Sequence, residues 1–479
     1  MASGIGYTPL PTCNNHPRST SSSVVGSAQA LGVAVLLGLS LVLCIWWRTA
    51  ADIGQFPAQR WQELAPIPDA LGVAGPFVGA SGGALLLAGG ANFPDRPPWE
   101  GGAKHWLDAV YALESPQATR WMLVGRLPHP LGYGVSASWR GRLLCVGGSD
   151  GSAHRATVLA LRYSYRVGTG TVEMEAGPSL PVALANAAGV LVGDVLYVAG
   201  GSASPQATEA CSQLWRLHLV EGLSASSWRE LPAIPGPGRV LPAIGWSGLT
   251  QRVLLISGAR LLPTADGTGS TREFLRDGFA FDPALSTWRK LKPPPRAIVG
   301  SPGPALELTS RAELTSPSKL GARNAMLFLP GDDGAHFGEQ AALKDRHPGF
   351  GALMMSYSEI EDSWSTVSSS AMAFPGGAPV TTPAARWGAL WVIPSGEFLD
   401  SKEEPTQELP LPLIAERSVA PRQHHRQQSK SALLQAHPTN AVYVDCFFYG
   451  FWLPMEKLPA YQASMSHHPG MAAMAAVGS

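Results

Sequence analysis

The residues of this chain best equipped to move protons or grip a polar ligand stand just after apolar runs that end in glycine. Glu397 follows Leu390-Trp391-Val392-Ile393-Pro394-Ser395-Gly396, and the pair Asp332-Asp333 follows Ala325-Met326-Leu327-Phe328-Leu329-Pro330-Gly331. A carboxylate on a loop at the end of a buried strand can serve as general acid or base, so Glu397 is read as a proton carrier. The two aspartates can share acid and base duty or bind a cation, or they can simply form a Gly-Asp-Asp-Gly turn. Asn92, two residues past Gly89-Gly90, can exchange hydrogen bonds with ligand hydroxyls or cap its own turn. The insertion from Pro94 to Trp106 adds Trp99, Glu100, Lys104 and His105. An aromatic beside polar groups suits the face of a sugar, although Trp99 can equally pin the loop, and Lys104 can supply a positive charge. Arg323 can fork onto a carboxylate or pair between neighbouring repeats.

The elements that must position these groups recur along the chain. Leu85-Leu86-Leu87-Ala88-Gly89-Gly90, Leu143-Leu144-Cys145-Val146-Gly147-Gly148 and Val195-Leu196-Tyr197-Val198-Ala199-Gly200-Gly201 are clear copies, and weaker ones end at Gly258, Gly331 and Gly396. After each comes a loop, a strand with an aromatic, and then a tryptophan, as at Trp121, Trp228, Trp288 and Trp364. A spacing of about 50 to 75 residues is that of a kelch-like propeller blade carrying loop insertions. Blades bury both faces, which explains continuous apolar runs rather than strict alternation. Glycines let the inner strand turn sharply where a side chain would clash. Six copies predict six blades. Arg60-Trp61-Gln62-Glu63-Leu64 reads as an outer strand without inner strands before it, and the last copy has inner strands without an obvious outer one. Pairing them would close the ring and remove its free edges.

Composition agrees with an all-β chain. The 479 residues are 45% hydrophobic and 15% charged, with 53 Gly, 42 Pro and 15 Trp, which disfavours a helical protein. Zero formal net charge argues against nucleic acid and for a neutral or mildly polar ligand. Five scattered cysteines with no C-x-x-C form neither a disulfide framework nor a zinc site. Cys145 reads as a small buried hydrophobe.

Residues 28–48 form the longest apolar stretch, ending in Trp46-Trp47 beside Arg48. Its length suits one transmembrane helix with indoles at an interface; a cleaved signal would have a shorter core and a nearer basic flank. The organisation expected is a polar tail over 1–27, an anchor over 28–48, a propeller over 56–400 and a divergent tail over 401–479. Within that tail, 401–431 is polar and reads as a solvated linker, and Ala441–Pro454 is either a membrane-surface segment or an extra strand. The propeller is expected on the extracytoplasmic or lumenal side of the membrane.

The segments Leu71–Gly79, Ala88–Pro94 and Pro98–Gly102 closely resemble the sialic-acid (N-acetylneuraminate) mutarotase family in its cyclically permuted branch. Tyr133-Gly134-Val135-Ser136, Gly331-Asp332-Asp333-Gly334, His347-Pro348-Gly349-Phe350 and Pro379-Val380-Thr381-Thr382 add to the likeness, which runs over about residues 60 to 397. The resemblance implies a six-bladed propeller that interconverts sugar anomers, and some permuted relatives are joined to transport domains, implying a neighbouring sugar transporter. It also implies that Tyr133 and Thr381 belong to the substrate site with Asn92, Trp99, Glu100, Lys104, Arg323, Asp332 and Asp333. The family's Gly-Glu is present as Gly396-Glu397, but the Pro-Gly-x-Arg turn that should follow is replaced by Phe398-Leu399-Asp400-Ser401.

Mutarotation needs an acid and a base, but neither metal nor nucleotide, so no cofactor is expected. The alternative is a membrane-anchored propeller without catalysis that holds a sugar or a protein partner.

Overall fold

The computed structural model describes residues 61–265, 267, 269–309, 324–351, 353–367, 379–397 and 442–446. These form six four-stranded antiparallel sheets, two small hairpins and only single-turn helices. The first sheet runs Phe77–Ser81, Ala84–Ala88, Ala109–Leu113 and Met122–Arg126. The second runs Val135–Trp139, Arg142–Val146, Val158–Arg166 and Thr169–Ala176, and the third Ala188–Val192, Val195–Ala199, Leu214–His218 and Ser227–Leu231. The fourth is Ala243–Ser247, Arg252–Ile256, Gly278–Asp282 and Thr287–Lys290, and the fifth Leu306–Thr309, Asn324–Phe328, Met354–Ser358 and Ser363–Val367.

The sixth sheet is assembled from distant parts of the chain. Ala385–Trp387 and Leu390–Ile393 supply its inner half, Val442–Cys446 comes third and Trp61–Leu64 lies outermost. The N-terminal strand therefore takes the edge expected of it, pairing Trp61 with Asp445 and Leu64 with Val442. The apolar segment near residue 441 contributes the strand that intervenes, so the sheet draws on the stretch assigned from sequence to the tail. The expected span over residues 28–48 lies outside the described residues. Among the described residues no helix is long and apolar enough to cross a membrane.

Side chains meet between consecutive sheets rather than around one centre. Phe77, Leu86 and Val110 of the first sheet pack with Leu143, Cys145 and Leu161 of the second. Leu144 and Ala160 then meet Leu196 and Trp215 of the third, Tyr197 meets Phe281 of the fourth, and Leu254 meets Met326 and Tyr357 of the fifth. Leu85 and Leu87 close against Trp387 and Val392 of the sixth. This all-β arrangement is consistent with a propeller, and burial on both faces is why the strands lack alternation.

Tryptophans on, or just before, the fourth strands of four sheets repeat one contact. The indole N–H of Trp121 donates to the Ala65 carbonyl, Trp228 to Pro178, Trp288 to Pro232 and Trp364 to Lys292, each at 2.8–2.9 Å. Each ties a sheet to the connection leaving the sheet before it, giving the indole N–H a partner.

The glycine pairs allow consecutive repeats to touch. Gly89 and Gly90 have φ of +64° and +95°, a region open to glycine. A Cβ on Gly89 would stand 2.0 Å from the Leu131 carbonyl oxygen, the atom that accepts the Gly90 N–H.

Candidate functional site

At the inner end of the sheets the backbone closes a ring. Tyr133 N–H donates to the Gly75 carbonyl, Asn186 to Tyr133, Leu241 to Asn186, Gly300 to Leu241, Thr381 to Gly300 and Gly75 to Thr381, all at 2.7–3.0 Å. All six residues have positive φ, between +54° and +65°, four of them despite carrying a side chain, so the closed ring holds a conformation that isolated residues avoid. The same six residues line a cavity along the axis.

One residue after each glycine turn bridges the residue that precedes a ring member. These positions are Ala91, Ser149, Ser202, Ala259, Asp332 and Glu397, paired with Ala74, Gly132, Ala185, Val240, Val299 and Val380. They are structurally equivalent, and only the fifth and sixth are acidic. Glu397 is fixed by reciprocal backbone bonds with Val380, at 2.9 and 3.1 Å, and Ser395 before it accepts the Val73 N–H.

Glu397, Tyr133 and Lys104 form a hydrogen-bonded chain. Tyr133 donates its hydroxyl to Glu397 Oε1 at 2.9 Å and accepts from Lys104 Nζ at 2.7 Å. The Lys104 ammonium faces the rings of Tyr133, Phe93 and Trp106, at 4.5, 5.2 and 5.8 Å from their centroids. Trp106 meets Tyr133 edge-on at 5.6 Å. Burial lowers the Lys104 pKa below the ordinary lysine value, opposed by the Glu397 charge. The Tyr133 phenol is pushed well above its ordinary value, first by burial and then by Glu397. Tyr133 reaches this place across Gly75, where a Cβ would lie 2.7 Å from the phenol ring.

Arg272 was not legible as a site residue. It lies on Ser270–Phe274, the second strand of a hairpin with Ala259–Pro263 inserted in the fourth repeat. Its charge acts on Lys104, Tyr133 and Asp332, which come from the first, second and fifth repeats. No hydrogen bond or ion pair engages its guanidinium among the described residues. The polar Ser-Thr-Arg-Glu run after a Gly-rich tip is the one signal that could have marked it. The ring member Asn186 was missed too; its signal was its place just ahead of a first strand, equivalent to Tyr133.

Other sequence candidates are placed differently. Asn92 Nδ2 donates to Asp69 Oδ2 at 2.9 Å and to the Gly72 carbonyl at 3.2 Å, so its amide binds its own chain, and its Oδ1 is buried without a partner. Asp333 Oδ1 accepts the Ala335 N–H in a turn. Asp332 Oδ1 likewise accepts from Gly334, yet Asp332 is half-buried and desolvation raises its pKa. Thr381 contributes backbone to the ring, its hydroxyl donating to the Val380 carbonyl. Trp99 lies in the one-turn helix Pro98–Glu100 and Glu100 is exposed. Arg323 lies outside the described residues.

The family model for N-acetylneuraminate epimerase matches residues 48–167. The chain is similar to N-acetylneuraminate epimerase 1 of Escherichia coli O6:H1, 38% identical over 102 residues, which are 20% of this chain and 27% of the relative. It is 34% identical to N-acetylneuraminate epimerase of Haemophilus influenzae over 127 residues, 23% of this chain and 33% of the relative. The enzyme of that name from Salmonella typhimurium is 33% identical over 142 residues, covering 27% and 36%. The chain thus matches about a third of the length of these curated relatives. The family-model match takes in Asn92, Trp99, Glu100, Lys104 and Tyr133, whereas Arg272, Asp332 and Glu397 lie beyond it. Over residues 48–167 the chain is thus similar to the N-acetylneuraminate epimerase family.

Proposed function

We propose that this chain is a six-bladed β-propeller that interconverts the anomers of N-acetylneuraminate or a related sugar by acid/base ring opening. The observation that carries the reading is the Lys104–Tyr133–Glu397 chain at one end of the axial cavity. Glu397 takes the proton of the anomeric hydroxyl as the bond to the ring oxygen breaks, and returns it when the open chain closes on the other face. Tyr133 holds the carboxylate in one orientation. Lys104 and Arg272 add two positive charges to the mouth, suited to a sugar that bears a carboxylate.

The decisive experiment follows sugar anomers by proton NMR as they relax after release from a glycoside. The chain should equilibrate them faster than buffer, and Glu397→Gln should abolish the acceleration. Equilibration at the buffer rate by the unaltered chain would discard the mutarotase reading. It would favour a propeller that binds a sugar or protein without catalysis, the reading suggested by the missing arginine after Glu397. Anchoring through residues 28–48, with the propeller on the extracytoplasmic or lumenal side beside a sugar transporter, completes the proposal and rests on the apolar run alone.

A further inference from the structure

Ring opening needs a proton donor for the ring oxygen as well as a base for the hydroxyl. The Tyr133 hydroxyl proton is engaged on Glu397 itself, and the Lys104 ammonium gives one of its protons to Tyr133 and faces the rings of Tyr133, Phe93 and Trp106. Of the six equivalent positions after the glycine turns, two carry alanine. Ser149 bonds the Ala153 carbonyl, and Ser202 Oγ is taken up by His154 Nε2 at 3.1 Å. Asp332 remains, in the repeat next to that of Glu397.

Resting on the mutarotase reading, we infer that Asp332 is the catalytic acid that works with Glu397. One of its oxygens accepts the Gly334 N–H, which fixes the carboxyl, and the other has no partner among the described residues. As Glu397 removes the anomeric proton, the anomeric carbon–ring oxygen bond breaks, a carbonyl forms, and Asp332 transfers its proton to the departing ring oxygen. Closure on the opposite face reverses both transfers, so no proton is gained or lost. Three charged or titratable groups face Asp332: Asp333 raises its pKa, whereas Arg272 and His347 lower it, and desolvation outweighs them. His347 is itself buried, accepts the Gly349 N–H at Nδ1 and touches the ring of His336, which pairs with Glu339 at the surface.

The protonated fraction of Asp332 grows as pH falls from 7 toward its midpoint, so the rate per molecule should climb over that interval. The test measures anomer equilibration against pH for the full chain, Asp332→Asn, Asp332→Glu and Glu397→Gln. Asparagine keeps the acceptor for Gly334, so the turn is retained. Its rate should fall about 100-fold and lose the rise toward acid, with part of both restored by glutamate. An Asp332→Asn chain that equilibrates within twofold of the unaltered protein, with the same pH profile, would overturn the inference while the mutarotase reading stood. An unaltered chain with no acceleration at any pH would overturn both.

Discussion

Replacing Tyr133 by Phe removes one atom from the centre of the candidate site. The ring keeps its place across Gly75 and its face toward Lys104, but the bonds to Lys104 and Glu397, at 2.7 and 2.9 Å, are lost. Each involves a charged group, for which a bond contributes about 1.5–3 kcal/mol. Part is recovered as the freed ammonium and carboxylate find water or each other, so a net loss of about 2–3 kcal/mol in unfolding free energy is expected. A double-mutant cycle isolates the Lys104 half: guanidinium unfolding midpoints of the unaltered chain, Tyr133→Phe, Lys104→Met and the double variant should give a coupling of about 1.5–2 kcal/mol. Methionine preserves the apolar stem beside Phe93 and Trp106, so packing changes little. A coupling below about 0.5 kcal/mol would show that the ammonium does not depend on the phenol, and the argument for an organised proton-transfer site would fail.

Two further outcomes follow from geometry and charge. Gly75→Ala places a methyl 2.7 Å from the Tyr133 ring at φ +60°, so it should displace the phenol and lower the anomerisation rate at least tenfold, read as a 1.4 kcal/mol loss of transition-state stabilisation; an unchanged rate would separate Tyr133 from the activity. His154, buried with Nδ1 unpartnered and its pKa pushed down to about 4 by desolvation, binds its proton in the unfolded chain before the folded one. Stability should therefore be lost as pH falls from about 6.5 to 4, by at most about 3 kcal/mol. His154→Gln should flatten that decline in urea titrations at several pH values.

Fold and site were legible to different depths. The repeat could be read because each glycine turn and fourth-strand tryptophan answers a local demand: Gly89 admits the Leu131 carbonyl, and Trp288 reaches back to Pro232. Glu397 and Lys104 could be singled out by type, but the phenol that joins them depends on Tyr133 crossing Gly75, a contact between residues 58 positions apart in the chain that no local pattern encodes. Arg272 escaped because a hairpin inserted in one repeat carries it toward groups of three others. Asn92 shows the converse. Its position after the glycine pair suggested a ligand contact, whereas Asp69 and Gly72 take up its donor hydrogens.

The composite sixth sheet has a consequence for the order in which the molecule matures. Five sheets are built from contiguous stretches and can form as each segment leaves the ribosome, with contacts of modest sequence separation. Trp61–Leu64 must wait for Val442–Cys446, far along the chain, and such distant pairings are slow because loop closure precedes any reward. Glu397 lies four residues beyond Leu390–Ile393, the strand against which that late pair docks. Its carboxylate therefore acquires a completed sheet behind it only after residue 446 has been made, and a chain cut short before residue 442 would carry the acid residues without the support that holds Glu397 in register.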